Sequence, residues 1–236
     1  MLRPEKAGGA PGEVAMGRRS RRARPTVQMF ILGVADRGPV TGYELRQTAL
    51  LWEVADWAGF GVGSIYNAVA RLADEGLIED AGQERHGGYG PATVYAVTVA
   101  GRRTLHALVR QAMVGLEHQD RTDLALGLIT CLPSEERRDL LGERLRRLRL
   151  RRERIAEKHQ RHLGHPVDDP ARAWPLALTE RELRVSDVHL RWTEELIERA
   201  VAWRPPPALS REEVRRRWEQ DRAARRGRAR SKATRE

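Results

Sequence analysis

A histidine–aspartate cluster, a glycine-rich loop and one polar helix face are the candidate sites in this sequence. His159, His162 and His165, three apart and followed by Asp168 and Asp169, present imidazoles and carboxylates at helical spacing suited to a divalent metal. The same histidines fall where a heptad pattern turns polar, the ordinary place for solvated or interfacial side chains. That plainer reading is adopted, and no metal or other cofactor is expected. Gly59-Phe-Gly-Val-Gly63 has the glycines of a dinucleotide loop, but nothing before it reads as the strand such a loop needs. Cys131, the single cysteine, sits among apolar residues as an inert thiol; alone it builds neither an internal disulfide nor a zinc cluster. No Ser/His/Asp or Cys/His arrangement is suggested, so an enzyme is not expected. The polar face is Ser64, Tyr66, Asn67 and Arg71. Asn67 has the donor–acceptor pair for adenine, and Arg71 can reach guanine or a phosphate. Ser64 and Tyr66 suit phosphate oxygens. The competing reading is a solvated helix face with Tyr66 as a packing residue.

Helices and short strands surround this polar face in the sequence pattern. Val27, Phe30, Ile31 and Val34 recur at helical spacing up to Gly38-Pro39. Thr41-Gly-Tyr-Glu44 has the form of a capping box and opens a second helix to about Leu51. A loop holding Trp52 and Trp57 follows. Ser64 then starts a third helix with Ile65, Val69 and Leu72 on its buried face, closed by Gly76, with Leu77 folding back towards Leu72. Leu77–Asp80 and Thr93–Val97 read as two strands about the glycine-rich tip 82–91, and Thr98 begins a fourth helix to about Leu116. Three helices and a two-stranded wing make a winged helix-turn-helix, whose third helix enters the major groove.

The second half is helical throughout. Ser134-Glu-Glu starts a long helix on which Leu141, Leu145, Leu148, Arg152, Ile155, His159 and His162 follow a heptad. Thr179-x-x-Glu182 has the form of another capping box, ahead of an apolar stripe of Val185, Val188, Trp192, Leu196 and Trp203. Two long helices with such stripes call for a partner chain. Leu141, Leu145, Leu148, Ile155, Val188, Trp192, Leu196 and Trp203 are therefore the expected dimer contacts. Trp52 and Trp57 offer flat surfaces for a planar hydrophobic effector, or serve as core and dimer contacts.

Charge is concentrated at the ends. The 236 residues carry 43 Lys+Arg against 33 Asp+Glu, net +10. Residues 1–25 hold seven basic and two acidic groups, hence +5, and residues 204–236 hold twelve and five, hence +7. Residues 26–119 hold seven and ten, hence −3. The expected organisation is an Arg-rich disordered tail at 1–25, a winged helix domain at 26–119, a helical dimerisation or effector domain at 120–203 and a second disordered tail at 204–236. The tails either solubilise or attract phosphate. Arg18-Arg19-Ser20-Arg21-Arg22 before an apolar stretch imitates a twin-arginine signal, but Asp36-Arg37 interrupts at once without a small-residue cleavage site. Met29–Ala35 is too short to span a bilayer. A cytoplasmic protein is expected.

Phe30-Ile-Leu-Gly-Val, Gly38-Pro-Val-Thr-Gly-Tyr-Glu-Leu45, Gly63-Ser-Ile-Tyr-Asn67, Arg71-Leu-x-x-Glu-Gly-Leu-Ile78 and Tyr95-Ala-Val-Thr-x-x-Gly101 together resemble the PadR-type transcriptional regulators over residues 27–118. Leu-Pro-Ser-Glu-Glu136 and Arg191-Trp-Thr-Glu-Glu-Leu196 are similar to the helical C-terminal domain of the longer members. The resemblance implies a mainly α protein that represses transcription as a homodimer on inverted-repeat DNA and is often released by a small ligand. The expected partners are double-stranded DNA, a second copy and a small hydrophobic effector, with no membrane. The candidate DNA contacts are Thr41, Ser64, Tyr66, Asn67, Arg71, Arg85 and His86. The chain departs from the family in its wing, where only Arg85 and His86 supply charge before Gly87-Gly-Tyr-Gly-Pro91. A protein-interaction module with non-specific nucleic-acid affinity from the tails is the alternative.

Overall fold

The computed structural model describes residues 25–85, 90–164 and 173–205, together with residues 210, 212, 213, 216 and 220. Helix α1 (Pro25–Ala35) begins on a proline, whose missing N–H is harmless in a first turn. Strand β1 (Val40–Thr41) leads into α2 (Gly42–Leu51), α3 (Val54–Trp57) and α4 (Ser64–Asp74). Strands β2 (Ile78–Arg85) and β3 (Pro91–Val97) form the wing, and α5 (Val99–Val114) follows. Helices α6 (Gln119–Leu128), α7 (Ser134–Leu163) and α8 (Ala173–Ala202) complete the mainly α chain.

The sheet has three antiparallel strands in the order β1-β3-β2, not the two the sequence suggests. Val40 and Thr41 pair with Tyr95 and Val94. A two-residue strand has no periodicity to betray it, and here it lies inside the lead-in to a capping box. The short α3 likewise falls in the stretch expected to be a loop; Glu53, at φ 53, makes the sharp joint before it.

Local signals place α4. The capping box of α2 is formed: Thr41 Oγ1 accepts the Glu44 N–H, and Glu44 accepts the Thr41 N–H at 2.7 Å. Ile65, Ala68, Val69 and Leu72 are the buried stripe of α4. Gly76, at φ 67, reverses the chain after α4, and the Leu77 N–H reaches back to the Leu72 carbonyl at 2.9 Å. Thr98 Oγ1 ties the start of α5 to this turn through the Gly76 carbonyl at 2.8 Å.

One continuous cluster of buried side chains runs from Phe30, Ile31 and Leu32 through Leu105 and Leu124 to Leu141 and Leu196. The core therefore crosses the boundary expected at residue 119. Two expectations for the second half fail. Thr179 caps nothing: it lies inside α8, fully buried, its hydroxyl donating to the Pro175 carbonyl and meeting His159 Nδ1 at 2.8 Å. The helix has already begun at Ala173, because Pro175 falls in its first turn, where a proline is tolerated. The argument that both long helices need a partner chain also fails in part. Leu141, Leu145, Leu148 and Ile155 are buried within the single chain, where α7 packs along α8, and so is Leu196.

Residues of low apolarity on α8 fill this seam. Thr179, Ser186 and Thr193 recur every seven residues, all buried, and each donates its hydroxyl to the carbonyl four residues back. Internally satisfied hydroxyls can face leucines without desolvation cost.

Candidate nucleic-acid interface

Helix α4 presents Tyr66, 51% exposed, beside the exposed Asn67, with Arg71 one turn further along and half-buried. Asn67 and Arg71 stand four apart and so share one face. Ser64 opens the helix, its hydroxyl donating to the Gly61 carbonyl at 2.7 Å. The amide groups of the first turn give this end of the helix partial positive charge. Asp74 and Glu75, both exposed, lie at the opposite end, so the N-terminal half is the end compatible with an anionic surface. The structure brings Ser64, Tyr66, Asn67 and Arg71 together on one element.

Thr41 does not join them. It is 1% exposed, and both its backbone N–H and its hydroxyl point at Glu44. Its function is to fix the start of α2, and it is unavailable to a ligand. Arg85 ends β2 opposite Pro91; its side chain and His86 lie outside the described residues. Tyr43, 41% exposed on the first turn of α2, adds an aromatic hydroxyl absent from the expected contacts. Its exposed place in Gly42-Tyr43, beside a helix start, was the available signal.

The tryptophans border a second feature. Trp57 Nε1 donates to the Trp52 carbonyl at 2.7 Å, and the Arg37 guanidinium lies 5.4 Å above the Trp52 ring. Trp52 also meets Phe30 edge-on at 5.6 Å. Trp52, Trp57 and Arg37, together with Trp203, Leu124 and Thr130, line a cleft of about 520 Å³ between α2, α6 and the end of α8. Trp52 and Trp57 are thus half-buried packing residues that also face a cleft.

Among the described residues the remaining candidates assemble no site. His159 pairs with Thr179, and His165, Asp168 and Asp169 lie outside the described residues. Gly59–Gly63 connects α3 to α4, so a helix and not a strand runs into it. Burial pushes the Cys131 thiol up to about 12, which keeps it protonated. Trp192 and Trp203 pack partly buried against the core, whereas Val188 is 54% exposed. No helix among the described residues is long and apolar enough to cross a membrane.

A winged helix joined to a helical hairpin is the class these elements define. Residues 31–107 match the model of the transcriptional regulator PadR-like family, so the chain carries a PadR-like domain over that span. No curated protein matches the chain. Among solved structures, Bacillus subtilis PadR in complex with operator DNA is 20% identical, covering 74% of this chain and 98% of its own, with a TM-score of 0.33. The same protein in complex with p-coumaric acid is 18% identical over 76% and 98%, with a TM-score of 0.32. A PadR-like transcriptional regulator from Bacillus cereus is 15% identical over 75% and 98%, with a TM-score of 0.28.

Proposed function

We propose that this protein is a PadR-like transcriptional regulator, a repressor that binds an inverted-repeat operator as a homodimer and is released by a small hydrophobic ligand. The observation that carries the reading is the face of α4. Its buried stripe is fully apolar, while its N-terminal half turns Tyr66 and Asn67 to solvent with Arg71 beside them. In a winged helix that face docks in the major groove, where Asn67 reads adenine and Arg71 reads guanine or grips phosphate. The PadR-like match over residues 31–107 supports transcription as the process.

Because the α7 seam is buried within the chain, the dimer surface proposed here is the outer face of α8. Trp174, Val185 and Val188 on α8 remain exposed at 68%, 40% and 54%, an apolar stripe beside the one that packs on α7. This stripe suits a second copy, and paired recognition helices about 34–36 Å apart would meet successive major grooves. The effector belongs in the cleft edged by Trp52 and Trp57, between the helix-turn-helix and the end of α8.

A protein-interaction module has one observation in its favour, the net −3 of residues 26–119. Fluorescence anisotropy separates the two readings: DNA from the protein's own upstream region is titrated at two salt concentrations with scrambled competitor. Competitor-resistant binding with two protomers per site is the expected result. Binding abolished by competitor and salt together would contradict sequence reading on that fragment.

A further inference from the structure

Helix α5 ends at Gly115, whose N–H returns to the Gln111 carbonyl at 3.0 Å, and its last carbonyls find no donor within the helix's own last turn. Gly115 leaves the helix in an extended conformation, φ −72 and ψ 144, and the last turn contains no basic residue. Carbonyls at a helix end carry partial negative charge and need donors. Here the donors come from another helix. Arg144 on α7, only 2% exposed, donates through Nη1 to the carbonyls of Met113 at 3.1 Å and Gly115 at 2.9 Å. Arg151, seven residues on and so on the same face of α7, donates to the Leu116 carbonyl at 3.0 Å. Seven residues before Arg144, Arg137 makes the same kind of contact at the end of α8, reaching the carbonyls of Ala200 at 2.6 Å and Trp203 at 2.8 Å.

Arg144 is an expensive way to pack this position. Leu141, Leu145 and Leu148 around it are apolar, and its Nε is buried with no partner among the described residues. A buried guanidinium with one nitrogen unsatisfied adds little net stability. What it does add is direction, because a planar donor group shared between two carbonyls of one helix end admits few orientations. Helix α5 belongs to the winged helix and α7 to the hairpin, so this contact fixes how the DNA-reading unit leaves the dimer-forming one. The Arg110–Glu136 ion pair joins the same two helices near the start of α7, giving the junction a second anchor.

We propose that Arg144, with Arg151, is a positioning clamp that sets the separation of the two recognition helices and hence the operator spacing the dimer accepts. The proposal rests on the DNA-reading function proposed above. Neither arginine touches DNA; both act through the angle between α5 and α7.

The test uses the full-length protein. Wild type selects a site from a random duplex pool, and anisotropy is read on that site, on one half-site, and on versions with two base pairs added or removed between half-sites. Wild type should lose at least about tenfold on the respaced sites. Arg144→Met should keep half-site affinity within about twofold, yet bind all spacings within about threefold of one another. Arg151→Ala, a change at an exposed position, should relax spacing in the same direction and carries the test if Arg144→Met fails to fold. Folded variants that discriminate spacing as wild type does would overturn the clamp. Loss of half-site and full-site binding in equal measure by a folded variant would also overturn it, since that is damage to the reading head. A wild-type protein that selects no site would overturn the DNA reading and the clamp with it.

Discussion

The Tyr66 ring on α4 lies against Gly42 at the start of α2, so closely that a Cβ on Gly42 would stand 3.0 Å from the ring edge. The first turn of one helix thus sets the attitude of an exposed aromatic on the other. Gly42→Ala should leave thermal stability equal or slightly raised, since alanine favours the helix by up to about 1 kcal/mol. The ring must give way by a few tenths of an ångström, and specific DNA affinity should fall. Parallel melting and anisotropy curves check this split; a loss in both together would mean the contact is only structural.

Thr41→Ala removes the box that starts α2. A cost of about 1–2 kcal/mol in unfolding free energy is expected, because the buried Glu44 carboxylate loses its hydroxyl donor while the Glu44 N–H loses its acceptor. Urea denaturation measures it. DNA affinity per folded molecule should not change, since the side chain is covered.

Two other glycines should respond in opposite ways to the same substitution. A Cβ on Gly101 would stand 2.0 Å from the Leu77 carbonyl oxygen, a backbone atom that cannot swing aside. Gly101→Ala should cost several kcal/mol, beyond the ~1–3 kcal/mol usual for overpacking, and open the joint between α5 and the wing. Gly142 lies inside α7 with open space around it, nothing standing within 4 Å of where a Cβ would sit, so Gly142→Ala should stabilise by about 0.5–1 kcal/mol. Melting temperatures of the two variants decide the matter.

His189 supplies a pH dependence. Burial holds its pKa below the ordinary 6.5, Arg144 and Arg151 on α7 push the same way, and Asp123 on α6 opposes them. The unfolded chain therefore binds the proton more readily. Above about pH 6.5 both states are neutral at this site and nothing is lost. As pH falls below that value, protonation favours the unfolded state and stability declines. His189→Gln should flatten the decline between about pH 6.5 and 5, read as the change in urea midpoint; an unaltered slope would place the dependence elsewhere.

Much of the winged helix was legible because its signals are local. Thr41 with Glu44, Ser64, the Ile65–Leu72 stripe and Gly76 each announce a helix start, face or end within a few residues, and the structure keeps all of them. What failed depended on contacts between distant segments. Thr179 followed by Glu182 has the form of a cap, yet only the packing of α7 on α8 shows that a threonine with an internally bonded hydroxyl serves as a seam residue. The same packing buries Leu141, Leu145 and Leu148, which a single helix pattern cannot distinguish from contacts to a partner. Arg137, Arg144 and Arg151 show their seven-residue spacing in the sequence, but the carbonyls they reach lie far off along the chain.

Val188→Glu and Leu141→Ala separate the two kinds of apolar residue. Val188 is exposed, so its change should release monomers in sedimentation and lower the melting temperature only by the part that wild type itself loses on dilution. Leu141 is fully buried in the chain, and its truncation should cost about 2–5 kcal/mol whatever the assembly state.

Asn67→Ala decides whether α4 reads base pairs. Anisotropy is measured for both proteins on the selected site, on that site with each base pair changed in turn, and on scrambled DNA. Asn67→Ala should lose about 1–3 kcal/mol on the selected site, lose its preference at one base pair, and bind scrambled DNA as wild type does. An unchanged preference at every base pair in the variant would mean that α4 does not read bases through Asn67.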